Sequence, residues 1–222
     1  MKTEQLCVSM LASWFVACGG GPAEAPPATT PQPAPSAQPG ASSAPAVLYQ
    51  SAFKTNPPEK WTSILGNWWV KDGVYQQDDP RLQNTRTTLD LPDSDCYTFQ
   101  FKARKIAGRE GFLAIVKYQQ KYVRWNIGGW NNTRSMVQGI SNENETNRPD
   151  GVEPNRWYEI KLVVDGDRLT GWMGDVQKWN IRRTPEQVQG LSADDQLAGL
   201  VGLGTWSTHA QFSNVEVTAE CP

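Results

Sequence analysis

The sequence predicts an all-β protein, a sandwich of two antiparallel sheets with jelly-roll connections. Helical periodicity is nearly absent from residue 47 onward, strand-like alternation recurs along the same segment, and Asp-Gly pairs separate neighbouring strand-like runs. About ten to twelve strands fit this segment, which is typical of two packed sheets and not of a single layer.

Each element follows from its local pattern. Asp72-Gly73 between two short apolar runs predicts a hairpin, because these residues accept the positive φ angles of a tight turn. Residues 96–105 alternate apolar and polar, which indicates a half-buried strand, and the apolar run 112–116 indicates a central one. The predicted strands lie at 68–71, 74–77, 96–105, 112–116, 157–164, 169–173, 200–203 and 212–217, with one short helix at 185–188.

Two segments precede the predicted sandwich. In residues 1–17, Lys2 stands before a short apolar run that ends next to Cys18, which is typical of a bacterial lipoprotein signal followed by the lipidated cysteine. Plain secretion and an uncleaved anchor are the alternatives. Residues 18–46 are rich in Pro, Ala and Ser and predict a disordered tether. We therefore expect residues 47–222 to form a domain that is exported and held at the cell envelope, on the outer membrane or cell surface, by its lipid anchor alone.

Charge and cysteine content narrow the class of partner. The 222 residues carry a formal net charge of −2, and their dispersed Lys and Arg lack the basic footprint of a nucleic-acid-binding protein. Cys7 leaves with the signal and Cys18 carries lipid, so Cys96 and Cys221 remain. An oxidising compartment favours a disulfide between them, with two free thiols as the alternative. We expect a monomer.

The segment 122–133 has an unusual concentration of aromatic and amide side chains. Trp and Tyr offer a flat apolar face with a polar edge, and Asn offers both a donor and an acceptor. A saccharide ring has the matching groups, since its C–H faces are apolar and its rim carries hydroxyls. This composition therefore predicts contact with an oligosaccharide or polysaccharide.

Four motifs occur in order along the chain: Glu110-Gly-Phe112, Trp125-Asn-Ile-Gly-Gly-Trp-Asn-Asn-Thr133, Arg156-Trp-Tyr158 and Gly204-Thr-Trp206. Their order resembles the non-catalytic sugar-binding module of bacterial and plant α-L-arabinofuranosidases, and more broadly the concanavalin-like and laminin-G-like jelly rolls. The opening around Trp68 and Asp72 is similar to 3-keto-disaccharide hydrolase domains. The resemblance implies a jelly roll and a glycan ligand, with an arabinose-containing one favoured. It leaves binding against hydrolysis open, because one fold hosts many functions.

Strand alternation divides the central motif between two faces. Tyr122, Arg124 and Asn126 share one face, and the apolar odd-numbered residues share the other, which we expect to be the core. Trp125 is then a packing residue, and Arg124 and Asn126 are the better ligand candidates. In the arabinofuranosidase modules that this sequence resembles, an aromatic residue often stands where this chain has Arg124.

The pair Gly128-Gly129 has two interpretations. A bulge would re-aim Trp130 and Asn131 toward a ligand, whereas a plain hairpin turn would hold Asn131 and Asn132 in left-handed conformations.

Three further side chains complete the predicted site, and two of them have an alternative role. Glu110 accepts hydrogen bonds from sugar hydroxyls or forms a surface ion pair with Arg109 or Arg86. Arg86 is the candidate cation of the site, and Trp206 either stacks on the ligand or packs in the core. The predicted ligand-binding residues are Arg86, Glu110, Tyr122, Arg124, Asn126, Trp130, Asn131 and Trp206.

No catalytic residue or metal ligand is assigned. A glycosidase needs two carboxylates at a defined separation, and the Glu-x-Asp-x-x-Glu run of jelly-roll glucanases is absent. We therefore expect non-catalytic glycan binding. The alternatives are hydrolysis or elimination on a disaccharide derivative, as in the 3-keto-disaccharide hydrolases, and a structural or adhesive surface role. No cofactor is expected, although Asp78-Asp79 or Asp93-Ser-Asp95 offer oxygens of the kind that calcium binds.

Overall fold

The computed structural model of the protein describes residues 44–195 and 197–220. The predicted signal, the lipidation site Cys18, most of the predicted tether and Cys221 lie outside the described residues. The lipid anchor and the disulfide therefore stay predictions. Cys96, one half of that disulfide, lies at the start of the longest strand. Among the described residues, no helix is long and apolar enough to cross a membrane.

Fourteen strands are present in the described part of the chain: β1 Ala46–Ser51, β2 Trp61–Leu65, β3 Trp68–Lys71, β4 Val74–Gln77, β5 Thr85–Leu89, β6 Cys96–Gly108, β7 Phe112–Tyr118, β8 Lys121–Gly128, β9 Arg134–Gln138, β10 Tyr158–Asp165, β11 Arg168–Met173, β12 Val176–Arg182, β13 Val201–Thr205 and β14 Thr208–Ala219. The count exceeds the predicted ten to twelve. The strands that the sequence did not reveal include β2, where four of five residues are exposed and apolar alternation is therefore weak.

The strands form two antiparallel sheets. The larger sheet has eight strands in the order β12-β11-β10-β6-β14-β4-β3, with β1 paired to β14, and the smaller has the order β2-β5-β13-β7-β8-β9. Neighbours in space are often distant in sequence, as β6 and β14 are, which is the pattern of a jelly roll. The predicted fold is confirmed.

The core lies between the sheets and is rich in aromatic rings. In β6, residues from Tyr97 to Lys105 alternate between buried and half-buried, so Phe99 and Phe101 pack inward as predicted. Across the sandwich, the ring of Trp125 meets that of Trp179 edge-on, with 5.2 Å between centroids and 87° between planes. Edge-to-face contacts of this kind add stability beyond the area that they bury.

One predicted turn agrees with the structure, and one predicted helix does not. Asp72 and Gly73 have φ angles of 51° and 76°, so the β3–β4 hairpin forms as the sequence predicted. The predicted helix at 185–188 is instead a single 3₁₀ turn, Pro185–Gln187, because it has one turn of hydrogen bonding and then extends. The two other 3₁₀ turns in the described chain are Glu143–Thr146 and Ala193–Asp195.

Candidate functional site

Strand β8 places its alternate side chains as the sequence predicted. Val123, Trp125 and Ile127 belong to the core between the sheets, and Trp125 is 1% exposed. Arg124 and Asn126 therefore lie on the outer face of the six-stranded sheet. They are nonetheless 9% and 6% exposed, so this outer face is covered instead of open to solvent.

The register of the sheet brings distant parts of the chain into rows on this face. Arg86, Gly204, Leu113 and Asn126 lie side by side on β5, β13, β7 and β8. Arg124 lies one row further along β8, in the row where β13 contributes Gly202. Strand β13 therefore presents no side chain between the two arginines.

A carboxylate from the connection before β13 joins the two arginines. Asp195 lies 3.1 Å from Arg86 Nη1 and 3.6 Å from Arg124 Nη1, one carboxylate oxygen to each. Asn84 donates from its side-chain amide to Asp195 and accepts from Arg124 Nη1 at 3.0 Å. We call Arg86, Arg124, Asp195 and Asn84 the arginine cluster.

The connection that carries Asp195, of which residues 191–195 and 197–200 are described, is held on the sheet by apolar contacts. Leu191 and Leu197 pack with Leu113, Ile115 and Tyr122 in a second, smaller apolar cluster on this outer face. The Tyr122 hydroxyl donates to the Gly199 carbonyl at 2.7 Å. Tyr122 thus fastens the connection and lies two residues before Arg124 on the same face of β8.

Arg124 is surrounded by polar and aromatic groups. Its Nε donates to Gln138 Oε1 at 2.9 Å, and its guanidinium lies 5.6 Å from the centre of the Trp206 ring. Burial lowers the pKa of Arg124, and the carboxylate of Asp195 acts in the opposite direction. An arginine remains cationic at neutral pH even so.

Two polar atoms on this face have no partner among the described residues. They are Nε of Arg86 and Oδ1 of Asn126, both buried. A buried polar atom without a hydrogen bond costs about 1–3 kcal/mol, so an added donor or acceptor that reached either atom would be stabilising.

The Gly128-Gly129 segment is a turn and not a bulge. The pairing of β8 with β7 and with β9 continues without a register shift, so the bulge interpretation is wrong. Gly128, Trp130, Asn131 and Asn132 all have positive φ, between 51° and 66°. Such a conformation is uncommon for a bulky residue such as Trp, and it lets β8 return as β9 within a few residues.

The side chains of this turn form separate contacts at the end of the sheet. Trp130 is half-buried and stacks with Arg134, whose guanidinium lies 4.4 Å from the ring centre. Asn131 Oδ1 accepts from Arg109 at 2.8 Å, and its backbone N–H donates to Glu110 at 3.4 Å. Among the described ion pairs, Glu110 has none with Arg109 or Arg86.

The structure therefore brings the predicted residues together in two places. Arg86 and Arg124 share the carboxylate of Asp195, Arg124 also contacts the ring of Trp206, and Asn126 lies two residues along β8 from Arg124. Glu110, Trp130 and Asn131 lie in the adjoining loops at the end of the sheet. Tyr122, two residues before Arg124, contacts the connection that carries Asp195 and has no contact with the two arginines among those described. Three contributors were not predicted: Asn84, Gln138 and Asp195. Asp195 lies in a polar stretch whose carboxylates look alike in sequence, so only the folded connection distinguishes it from Asp194.

The candidate calcium residues are occupied by other groups. Asp79 forms an ion pair with Arg81 at 2.7 Å, and Asp93 pairs with Lys117 at 2.5 Å. Within residues 44–195 and 197–220, no three His, Cys, Asp or Glu side chains form a group that could hold a metal ion.

A groove of about 940 Å³ lies elsewhere, on the outer face of the eight-stranded sheet. Five of its polar side chains pair with one another: Glu216 accepts from Gln50 and Gln100 at 2.8 Å each, and Lys102 pairs with Glu159 at 2.8 Å. None of the predicted site residues lines it. Size alone therefore favours this groove, but the unpaired buried groups favour the arginine cluster.

The chain is similar to proteins that act on or bind sugars. It is 38% identical over 126 residues to the extracellular exo-α-L-arabinofuranosidase of Streptomyces chartreusis, a match that covers 54% of this chain and 15% of that one. The predicted resemblance to an α-L-arabinofuranosidase is confirmed. The chain thus spans a small part of its curated relative. No protein-family model matches it.

Solved structures show the same fold. The carbohydrate-binding module CBM66 from Bacillus subtilis has a TM-score of 0.50 at 15% identity, covering 72% of this chain and 95% of that one. The laminarinase from Rhodothermus marinus has a TM-score of 0.54 at 14% identity, covering 81% and 99%. At such identities the likeness establishes the jelly-roll fold alone.

Proposed function

We propose that this protein binds glycans on the outer face of its six-stranded sheet, through Arg86, Arg124, Asn126 and Trp206. The observation that carries the proposal is the buried Asn126 Oδ1, which belongs to the outer face two residues from Arg124 and has no donor among the described residues. A sugar hydroxyl is a donor of the required kind. The half-buried indole of Trp206 offers an apolar face nearby for a sugar ring.

Glu110, Trp130 and Asn131 extend this surface. The Trp130 ring is held by Arg134 at the rim, and Glu110 and Asn131 offer carboxylate and amide oxygens beside it. A chain-like ligand that begins at the arginine cluster would reach these loops next. The similarity to an exo-α-L-arabinofuranosidase supports an arabinose-containing polysaccharide as the ligand.

Binding without hydrolysis fits the carboxylates of this face. Glycoside hydrolysis uses one carboxyl group as an acid and another as a base or nucleophile. Here Asp195 is held by two arginines and an asparagine, and Glu110 accepts from the Asn131 backbone. Each carboxylate is already held by protein groups, so the pair does not match the acid and base that the reaction requires.

Affinity electrophoresis of the full chain in gels containing arabinan, arabinoxylan, galactan or levan tests the proposal. We expect at least one polysaccharide to retard the chain, with Arg124→Gln abolishing the retardation and a non-binding protein as the mobility control. No retardation on any polymer, together with no hit on a broad glycan array, would defeat it. Release of reducing sugar from the same polymers, or turnover of a 3-keto-glucoside, would show an enzyme instead.

We further propose that the protein is exported and anchored by lipid on Cys18. The lipoprotein-like signal supports the anchor, and the extracellular relative supports export. Two acyl chains are enough for stable membrane attachment. Metabolic labelling with a radioactive fatty acid should mark the native chain and not Cys18→Ala, which should appear in the soluble fraction; equal fractionation of the two would refute the anchor.

A further inference from the structure

The arginine cluster has more positive than negative charge. Two guanidinium groups, with side chains 6% and 10% exposed, share the single carboxylate of Asp195, which is 16% exposed. Taking a charge out of water is costly unless an opposite charge accompanies it. One of the two buried cations therefore lacks a full counterion.

Other charged groups near Arg124 do not remove this excess. Asp195 is the strongest electrostatic influence on Arg124, repulsion from Arg86 comes second, and attraction from Glu143 comes third. The Glu143 carboxylate is also engaged elsewhere, since it accepts from the Gly139 backbone N–H at 2.8 Å.

The hydrogen bonds of Arg86 show where an acceptor is missing. Its Nη1 donates to Asn84 O and to Asp195, and its Nη2 donates to Asp194 O at 2.6 Å. Its Nε has no acceptor within the described residues. Guanidinium groups match carboxylates in a planar, two-bond geometry, so an added carboxylate fits this vacant donor well.

The ligand that satisfies both unpaired atoms carries two kinds of group. Arg86 Nε lacks an acceptor, which the excess positive charge of the cluster favours as an anion, and Asn126 Oδ1 lacks a donor such as a hydroxyl. We propose that the arginine cluster recognises a sugar that bears a carboxylate, a uronic acid unit, whose carboxylate competes with that of Asp195 for the two guanidinium groups. This inference rests on the proposed glycan binding and specifies its ligand; a uronic acid unit and arabinose can occur in one polysaccharide.

Calorimetric titration of the full chain with short galacturonic acid oligomers tests the inference. The matched ligands are the methyl esters of the same oligomers, which keep the ring and remove the charge. We expect the acid to bind about tenfold or more tightly than the ester at low salt, because charge-assisted hydrogen bonds are about twice as strong as neutral ones. The difference should shrink as salt rises.

Two variants separate competition by Asp195 from a merely structural role. Asp195→Asn removes the competing charge and should raise affinity for the acid several-fold without raising that for the ester. Asp194→Asn is the control, because Asp194 is exposed and contacts Arg86 through its backbone oxygen alone among the described contacts. It should change neither affinity.

The outcomes distinguish the inference from the proposed function. Equal binding of acid and ester, or weaker acid binding by Asp195→Asn, would overturn the uronic acid inference and leave glycan binding intact. Failure of every acidic and neutral saccharide to bind would defeat the proposed function itself. Should Asp195→Asn not fold, the comparison of acid with ester on the unchanged chain still decides.

Discussion

Replacing two neighbouring residues of β8 tests whether the two faces of this strand have different roles. Asn126→Ala removes a buried oxygen that has no donor among the described residues, which relieves about 1–3 kcal/mol of cost, and it loses packing of comparable size. The free energy of unfolding should therefore change by less than about 1 kcal/mol. Trp125→Ala removes a core ring that is 1% exposed and should cost about 3–5 kcal/mol.

Denaturant unfolding and affinity electrophoresis on the same samples measure both effects. Trp125→Ala should lower the melting temperature by about 6–20 °C, since 1 kcal/mol corresponds to about 2–4 °C at this size. Asn126→Ala should keep its melting temperature and weaken binding by about 3- to 10-fold, the value of one hydrogen bond. If Asn126→Ala unfolds the domain and leaves the ligand response unchanged, the assignment of faces is wrong.

Three further predictions concern other parts of the chain. A Cβ at Gly202 would lie 2.5 Å from Leu197 Cδ1 and 2.7 Å from a backbone oxygen of β5. Gly202→Ala should therefore displace the connection that carries Leu197 and lower the free energy of unfolding by about 1–3 kcal/mol. Denaturant unfolding should show that loss, and affinity electrophoresis should show weaker binding. Burial lowers the pKa of His209, and Asp78 acts in the opposite direction. The unfolded state therefore takes up the proton first, and the free energy of unfolding should fall as pH drops below about 6.5. Between pH 7.5 and 5.5 the melting temperature of His209→Gln should fall less than that of the unchanged chain, and an equal fall would refute the assignment. Alkylation without reductant should leave Cys96 and Cys221 unmodified, whereas a mass shift would show free thiols.

Sequence periodicity predicted the features that depend on local alternation. The inward side of β6, the turn at Asp72-Gly73 and the opposite faces of Trp125 and Asn126 all follow from a repeat of two residues along a strand. The jelly roll follows from the number of such strands and the near absence of helical patterns.

Long-range register was beyond sequence patterns. Arg86 and Arg124 share one carboxylate although their strands, β5 and β8, are separated by β13 and β7. No pattern near either residue in the chain predicts this arrangement. Asp195 comes from a polar connection with no periodicity, and Tyr122 proved to fasten that connection. The turn at Trp130 depends on contacts of Asn132 with the Val152 backbone, which are likewise distant in sequence.

Because β13 has only glycine on this face between the two arginines, the charged groups here come from two kinds of structure, the neighbouring strands and a surface connection. Strands lie about 4.8 Å apart, so strands β5 and β8, which carry Arg86 and Arg124, are about 14 Å from each other and are fixed by the sheet. The anion between their tips comes from a surface connection, the part of a fold that tolerates exchange most readily. Exchanging that one connection would change the charge of this outer face, from cationic to neutral or acidic, while every strand stayed in place.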